Sequence, residues 1–170
     1  SFNISDVDVF FNKLHINGGL NAELENGGYI FNSLFTLNDI TYKVSGLYAD
    51  NVLSVYGDYG ININIFTDDD KKLKGTVQAK ELPVPLIGAS FTADSSFEYA
   101  GRQNWNFNCN ELRLEYADAR LSAAGGNLEF SAIGHADPSG AFFREVRLGR
   151  KDSFLTGTAS FNPAPNQEAD

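Results

Sequence analysis

The side chains that could do chemistry in this 170-residue chain are few and scattered. The two histidines, His15 and His135, have no cysteine or carboxylate at the spacing of a metal site. Asp68, Asp69 and Asp70 could offer oxygen ligands to Ca²⁺, but the spaced glycine and terminal glutamate of a calcium-binding loop are missing. Neither a nucleophile elbow, G-x-S-x-G, nor a glycine-rich phosphate loop occurs. The sequence therefore predicts no metal site, no cofactor and no catalytic residues.

Two further groups are explained without catalysis. Glu111 and Glu115 alternate with Arg113 in a predicted strand, which is typical of solvent-facing charges and not of an acid/base pair in a cleft. Cys109 is the only cysteine, so no intramolecular disulfide can form, and its apolar neighbours predict a small buried hydrophobic side chain. We therefore expect that the chain is not an enzyme.

The clearest pattern in the sequence is that of a β-strand. Residues 104–110 alternate asparagine with Trp105, Phe107 and Cys109. Because successive side chains of a strand point to opposite faces, these three residues share one face and the asparagines share the other. The same period of two recurs along the whole chain, and no segment has a convincing helical period. The elements that must position any functional residue are therefore strands.

Short turn signals separate the predicted strands and indicate a β-meander. Turns are predicted at residues 17–19, 25–28, 68–72, 125–127 and 137–140. About 12 strands would cover residues 1–161 as a single all-β domain, followed by a polar tail over 162–170. Pro83 and Pro85 predict that their segment is an edge strand or a crossing, because proline cannot donate to a central ladder.

A sheet of about 12 strands would be roughly 55 Å wide, and open sheets of that size usually curl, fold over or close. We therefore expect an all-β fold with a curved or folded antiparallel meander sheet, groove-like or in the folded form called a β-taco. A β-sandwich, a solenoid or a barrel remains as an alternative, because each would also cover one apolar face.

Composition narrows the range of partners. The chain has 22 acidic and 13 basic residues and a formal net charge of −9, which argues against nucleic acid and anionic lipid headgroups. No apolar run reaches the roughly 18–20 residues of a membrane-spanning helix, and no signal-peptide pattern is present. Because the chain starts at Ser1 and contains no methionine, we expect it to be a segment of a longer protein.

The aromatic residues indicate what the apolar face could do. The 14 Phe, 7 Tyr and 1 Trp fall mostly at apolar alternating positions, opposite the asparagines, which argues against a sugar-binding surface built from both. One interpretation is the core of a β-sandwich. The other is a groove for acyl chains, which would gain about 0.8 kcal/mol per buried methylene without fixing the chain in one position.

Four segments carry a resemblance to a known family. Residues 80–88 read KELPVPLIG, residues 111–126 read ELRLEYADARLSAAGG, and residues 146–150 and 155–161 read VRLGR and LTGTASF. This succession of an L-x-L strand, a turn and an L-x-G strand resembles the repeats of the TamB and AsmA-like family. In that family such segments build long periplasmic β-structures with a hydrophobic channel, associated with phospholipid transport to the outer membrane and with protein insertion there.

The resemblance implies a non-enzymatic segment of a bacterial envelope protein that shields phospholipid acyl chains between the membranes or assists outer-membrane assembly. It implies a periplasmic location, and as partners a phospholipid or another acyl-chain ligand, neighbouring segments of the same parent chain and an outer-membrane β-barrel. The implied groove residues are the inward apolar ones: Ile63, Ile65, Phe91, Phe97, Tyr99, Trp105, Phe107, Leu112, Leu114, Leu128, Phe130, Val146 and Leu148.

Two other functions remain open from the sequence. One is a structural or adhesive β-sandwich or β-solenoid module of a secreted, extracellular surface protein, with its function on the loops. The other is a carbohydrate-binding β-domain, for which exposed aromatic side chains beside carboxylates on one surface would be the supporting observation.

Overall fold

The computed structural model describes residues 1–11, 14–85, 87–116, 127–150 and 153–162, with the backbone alone for Asp6, Phe11 and Leu14. Within these ranges every regular element is a β-strand. The strands are β1 (Phe2–Phe11), β2 (Leu14–Glu25), β3 (Gly28–Leu37), β4 (Ile40–Ala49), β5 (Val52–Gly57), β6 (Asn62–Thr67), β7 (Leu73–Val84), β8 (Ala89–Tyr99), β9 (Trp105–Tyr116), β10 (Leu128–Asp137), β11 (Gly140–Arg150) and β12 (Ser153–Phe161). The described part of the chain contains no helix able to cross a membrane.

All twelve strands form one antiparallel sheet in chain order. Extensive contacts join only strands that follow each other in the sequence, so β1 and β12 are the two edges of an open sheet. The predicted antiparallel meander is therefore confirmed. The alternatives of a two-sheet sandwich or a solenoid are wrong for the described residues, because these form one sheet in which every strand pairs with its neighbours in sequence.

The sheet has little core. The buried hydrophobic side chains in the described ranges are small, apart from one tyrosine, and no large side chain there is fully buried. By contrast, 23 large hydrophobic side chains are exposed. A layered domain would hide most of them, so the sheet depends mainly on its ladder hydrogen bonds and on cross-strand side-chain pairs.

The predicted turn at residues 17–19 is wrong, because β2 continues through it from Leu14 to Glu25. Gly18 has φ +153°, and a Cβ there would overlap with the Leu34 carbonyl oxygen of β3. The glycine pair also lies opposite a bulge between Ile4 and Val7 of β1. Gly18 and Gly19 therefore allow β3 to approach β2 closely and β1 to pair irregularly with β2, as glycine in a strand interior often does.

The prediction of an edge or a crossing at Pro83 holds only for the last residues of β7. Pro83 lies in β7, which is paired on both sides, and it stands opposite Ser90 of β8. Pairing of β6 with β7 ends at Gln78, so Pro83 has no β6 residue opposite it. A bulge between Ala79 and Leu82 precedes it. Proline is tolerated because this end of β7 is locally an edge.

The other predicted turns have different outcomes. Turns at 26–27, 68–72 and 138–139 join neighbouring strands as expected. Residues 125 and 126 of the predicted turn at 125–127 lie outside the described residues, and so do residues 163–170 of the predicted tail.

Candidate functional site

The pairing register places all thirteen predicted groove residues on one face of the sheet, which we call the apolar face. Residues that stand directly opposite each other on paired strands share a face. Phe91, Leu114, Phe130 and Leu148 stand opposite one another in succession on β8, β9, β10 and β11. These four residues therefore form one apolar row across four strands.

The remaining nine predicted residues surround this row. Phe97 pairs with Phe107, and Tyr99 pairs with Trp105. The other five follow from the same registers on β6, β9, β10 and β11: Ile63, Ile65, Leu112, Leu128 and Val146.

The apolar face also extends over β1–β5, beyond the predicted set. Its members there stand opposite one another through the registers of these strands: Phe2, Ile4, Val7, Val9, Ile16, Leu20, Ala22, Leu24, Tyr29, Phe31, Phe35, Leu37, Ile40, Tyr42, Val44, Tyr48, Leu53 and Val55. The alternation of these segments in the sequence was the signal that could have included them.

One end of the sheet is narrowed by its shortest strands. β5 and β6 have 6 residues each, whereas β4 has 10 and β7 has 12. Residues 58–60 of the β5–β6 connection fill the gap, since Asp58 N–H donates to the Lys43 carbonyl at 3.0 Å and Lys80 N–H donates to the Tyr59 carbonyl at 2.6 Å. We call this end, where β4 begins and β7 ends, the narrow end.

Tyr42 closes the apolar face at the narrow end. Its hydroxyl donates to the Pro83 carbonyl at 2.8 Å, although three strand spacings, about 14 Å in a flat sheet, would separate β4 from β7. A tyrosine side chain is too short for that distance, so the ends of β4 and β7 converge on the apolar side. The ring stacks on Phe35 at 5.0 Å and contacts Tyr59 at 5.7 Å.

Burial shapes the chemistry of Tyr42. Its side chain is 4% exposed, and burial, with the neighbouring Tyr59, raises the pKa of its phenol above 10.0. The phenol therefore stays neutral over the physiological range and acts as a hydrogen-bond donor. No sequence signal identified this contact, because it depends on the unequal lengths of strands.

The opposite end of the sheet, which we call the wide end, carries aromatic residues on the same face. Tyr29 stands opposite Tyr48, and Tyr99 stands opposite Trp105. The three tyrosines are exposed. Side chains of this kind suit a boundary between an apolar region and water, because each has an apolar ring and a polar atom.

Cys109 lies on the apolar face as a small buried side chain, which confirms the prediction. It pairs with Ser95, and its thiol donates to the Ala132 carbonyl at 3.8 Å. Burial, together with Asp94, raises the pKa of this thiol above 9.0. A buried thiol with a raised pKa contains little thiolate at neutral pH and is a poor nucleophile.

The other side of the sheet, the polar face, holds the charged residues singled out from the sequence. Arg113 contacts Glu115, and its Nε lies 3.7 Å from Glu129. His15 Nε2 lies 2.7 Å from Asp8 Oδ1. In the described ranges no three His, Cys, Asp or Glu side chains converge as metal ligands.

The expectation that aromatic residues avoid the asparagine-bearing face is partly wrong. Aromatic residues also pair with polar-face partners on several strands: Phe10, Tyr56, Phe66, Phe142 and Phe154. Phe10 stacks on His15 at 4.0 Å, and the Arg147 guanidinium lies 3.7 Å from the centre of the Phe154 ring. Pairing within the polar face therefore includes stacked rings as well as amides.

Four cavities are lined mainly by residues of the polar face or of its bulges. Their volumes are about 910, 590, 410 and 310 Å³. Of the thirteen predicted groove residues, Leu112 alone lines one of these four cavities. The first lies over β1–β4, far from the predicted row.

Comparison of the chain with known protein families, curated proteins and solved structures found no match. Its function therefore has to be inferred from the two unlike faces of one sheet.

Proposed function

We propose that the apolar face binds the acyl chains of a phospholipid or a similar lipid. The chain would be a non-enzymatic segment of a bacterial envelope protein, shielding these chains between the inner and outer membranes or assisting outer-membrane assembly. One observation carries the proposal: an apolar face continuous over twelve strands is covered by no second layer among the described residues.

An apolar face of this extent needs a covering in water. Soluble monomers rarely expose contiguous apolar patches larger than a few hundred Å². An acyl segment of about ten methylenes would gain about 8 kcal/mol on leaving water, before the cost of its ordering. The row of Phe91, Leu114, Phe130 and Leu148 offers no directional partner, so it favours a flexible apolar ligand.

The two ends of the sheet suggest how such a ligand lies. At the narrow end the Tyr42 hydroxyl donates to the Pro83 carbonyl, and its ring packs against Phe35 and Tyr59. At the wide end Tyr48 and Tyr99 are exposed. The acyl termini would therefore point to the narrow end, and the polar headgroup would lie at the aromatic wide end.

The resemblance to the TamB and AsmA-like family supports the same proposal and a periplasmic location. Its further partners, an outer-membrane β-barrel and neighbouring segments of the parent chain, belong to the proposal. A structural or adhesive role in a secreted surface protein is the alternative, and it would require the apolar face to be covered by protein.

A matched pair of substitutions on β11 tests the proposal. Leu148 lies on the apolar face and Phe142 on the polar face of the same strand, with exposures of 44% and 43%. Native mass spectrometry and lipid extraction of the purified protein should detect bound phospholipid. Leu148→Glu should lower this occupancy several-fold, because a carboxylate would enter the acyl layer, whereas Phe142→Glu should leave it unchanged.

Phe107→Glu extends the test towards the middle of the sheet, with Asn108→Glu as the neighbour on the opposite face. Circular dichroism and urea unfolding would show whether each variant keeps its fold. Lipid that is absent from the wild-type protein, or lost equally from both members of a pair, would contradict acyl binding. If Phe107→Glu unfolds the protein and Asn108→Glu does not, the Phe107 ring is an ordinary packing residue. The comparison of Leu148→Glu with Phe142→Glu would then still test acyl binding.

A further inference from the structure

A row of hydrogen-bonding side chains crosses the polar face from β1 to β9. Each member stands directly opposite the next in the pairing registers. The members of this polar row are, in order, Asn3, Asn21, Asn32, Ser45, Tyr56, Asn62, Gln78, Asp94 and Glu111. Adjacent members are about 4.8 Å apart, the spacing of neighbouring strands.

Hydrogen bonds connect parts of the polar row. Ser45 Oγ donates to Asn32 Oδ1 at 2.7 Å. Asn62 Nδ2 donates to Gln78 Oε1, and Gln78 Nε2 donates to Asp94 Oδ1, both at 3.3 Å. Each amide has two N–H donors and an oxygen with two lone pairs. These contacts orient the amides and leave further donors and acceptors directed to solvent.

A cavity receives the β1–β3 end of the polar row. It has a volume of about 910 Å³, and Asn3, Asn21 and Asn32 line it together with Asp8 and Lys43. Its lining also includes His15, on which the ring of Phe10 stacks at 4.0 Å. A concave surface with a few convergent polar groups beside apolar ones is the usual form of a small-molecule site.

Tyr56 supplies an exposed ring among the amides. It is 58% exposed and belongs to the polar row itself, opposite Ser45. Sugars present C–H groups on one side of the ring and hydroxyls at its edge. An exposed aromatic ring suits the first, and amide or carboxylate groups suit the second.

We propose that the polar row binds a linear neutral polysaccharide that lies across the strands, with one end in the cavity over β1–β4. The strand spacing is close to the length of one pyranose unit in an extended glycan, so successive sugars would meet successive side chains. The net charge of −9 disfavours a polyanionic glycan. This ligand would occupy the face opposite the proposed acyl chains, so the two proposals stand or fall separately.

Isothermal titration calorimetry with oligosaccharides of β-1,4-linked glucose and of β-1,4-linked N-acetylglucosamine, in graded lengths, tests this proposal. Affinity should rise with oligosaccharide length, because each added unit meets another member of the polar row. Asn32→Ala and Tyr56→Ala should each weaken binding about five- to tenfold, corresponding to the loss of one hydrogen bond or one stacking contact.

Asn106→Ala is the matched control, because Asn106 is an exposed asparagine of the polar face outside the row, opposite Glu98. It should leave the affinity unchanged. Absence of binding by every neutral oligosaccharide, an equal loss in the control, or tighter binding of a polyanionic glycan such as polygalacturonate would overturn the proposal. Leu148→Glu should bind the oligosaccharide like the wild type, which separates this test from the test of acyl binding.

Discussion

Tyr42 and Tyr48 lie on the same face of the same strand, at opposite ends of β4, and their surroundings differ completely. Tyr42 is 4% exposed, stacks on Phe35 and donates to Pro83. Tyr48 is 45% exposed and stands between Tyr29 and Leu53 on its neighbouring strands. The pattern of alternation treats the two residues alike, so the difference comes from the strands beside them.

This sheet obtains its contacts between non-adjacent strands from the unequal lengths of its strands. Where β5 and β6 stop, β4 and β7 converge and a side chain can bridge them. Over the described part of the sheet, the extensive contacts of each strand are with its neighbours in the sequence. Stability should therefore be concentrated at the narrow end, and freedom to bind a ligand at the wide end.

Removing each tyrosine in turn should give the clearest difference in stability between the two ends of β4. Tyr42→Ala should lower the free energy of unfolding by about 3–5 kcal/mol, because it leaves a cavity among Phe35 and Tyr59 and removes the bond to Pro83. Tyr48→Ala should cost about 1 kcal/mol or less, the value of a cross-strand pair. Urea unfolding followed by circular dichroism measures both. Equal losses would show that the two ends of β4 do not differ in stability.

A glycine between the two tyrosines shows how far along β4 the closely packed region extends. A Cβ on Gly46 would overlap with the ring of Phe31 and lie 2.7 Å from the Ser54 carbonyl oxygen. Gly46→Ala should therefore destabilise the sheet by about 1–3 kcal/mol through overpacking. Gly157 of β12 is its control, because a Cβ there meets nothing within 4 Å.

Gly157→Ala should be neutral or stabilising by about 0.5–1 kcal/mol, since alanine loses less backbone entropy than glycine. The comparison uses the same urea unfolding experiment. If Gly157→Ala destabilises as much as Gly46→Ala, then β12 is packed against something that the exposed surface of this strand does not reveal.

The hydroxyl of Tyr42 can be tested apart from its ring. Tyr42→Phe removes the hydrogen bond to the Pro83 carbonyl and should cost about 1 kcal/mol. Amide hydrogen exchange should be faster at the Lys80 N–H, which donates to the carbonyl of Tyr59, the residue whose ring contacts Tyr42. Exchange at the wide end should not change, and a uniform increase over the sheet would contradict a local bridge.

Much of the fold could be predicted from the sequence, and the reasons are local. The alternation around Trp105 and Phe107 indicates both the strand and the face of each side chain, because successive side chains of a strand point to opposite faces. It placed all thirteen predicted residues on one face. The turn predicted at Gly18 was wrong because the role of this glycine depends on a bulge in the neighbouring strand β1. The edge predicted at Pro83 is local, because it depends on the early end of β6.

The narrow end and the polar row could not be predicted, since both depend on register. The Tyr42–Pro83 bond joins residues 41 positions apart, across two strands whose shortness has no sequence signature. The alignment of Asn3, Asn21 and Asn32 requires that two consecutive hairpins pair with a defined offset. Turn signals at residues 26–27 indicate a hairpin but do not fix the pairing of β1 with β2.

The smallest expected effect is a dependence on pH at the narrow end. Burial and the neighbouring Tyr59 raise the pKa of Tyr42 above 10.0 in the folded state, so the neutral phenol is favoured there. Its contribution to stability is fully present below about pH 10, the ordinary pKa of a tyrosine in the unfolded chain. It is lost as the pH rises through the pKa of Tyr42 in the folded state. The urea midpoint of the wild type should therefore fall more steeply above about pH 10 than that of Tyr42→Phe. Lys74, whose pKa is also raised, titrates in both proteins, so the difference between the two curves isolates Tyr42; parallel curves would mean that its phenol ionises as it does in water.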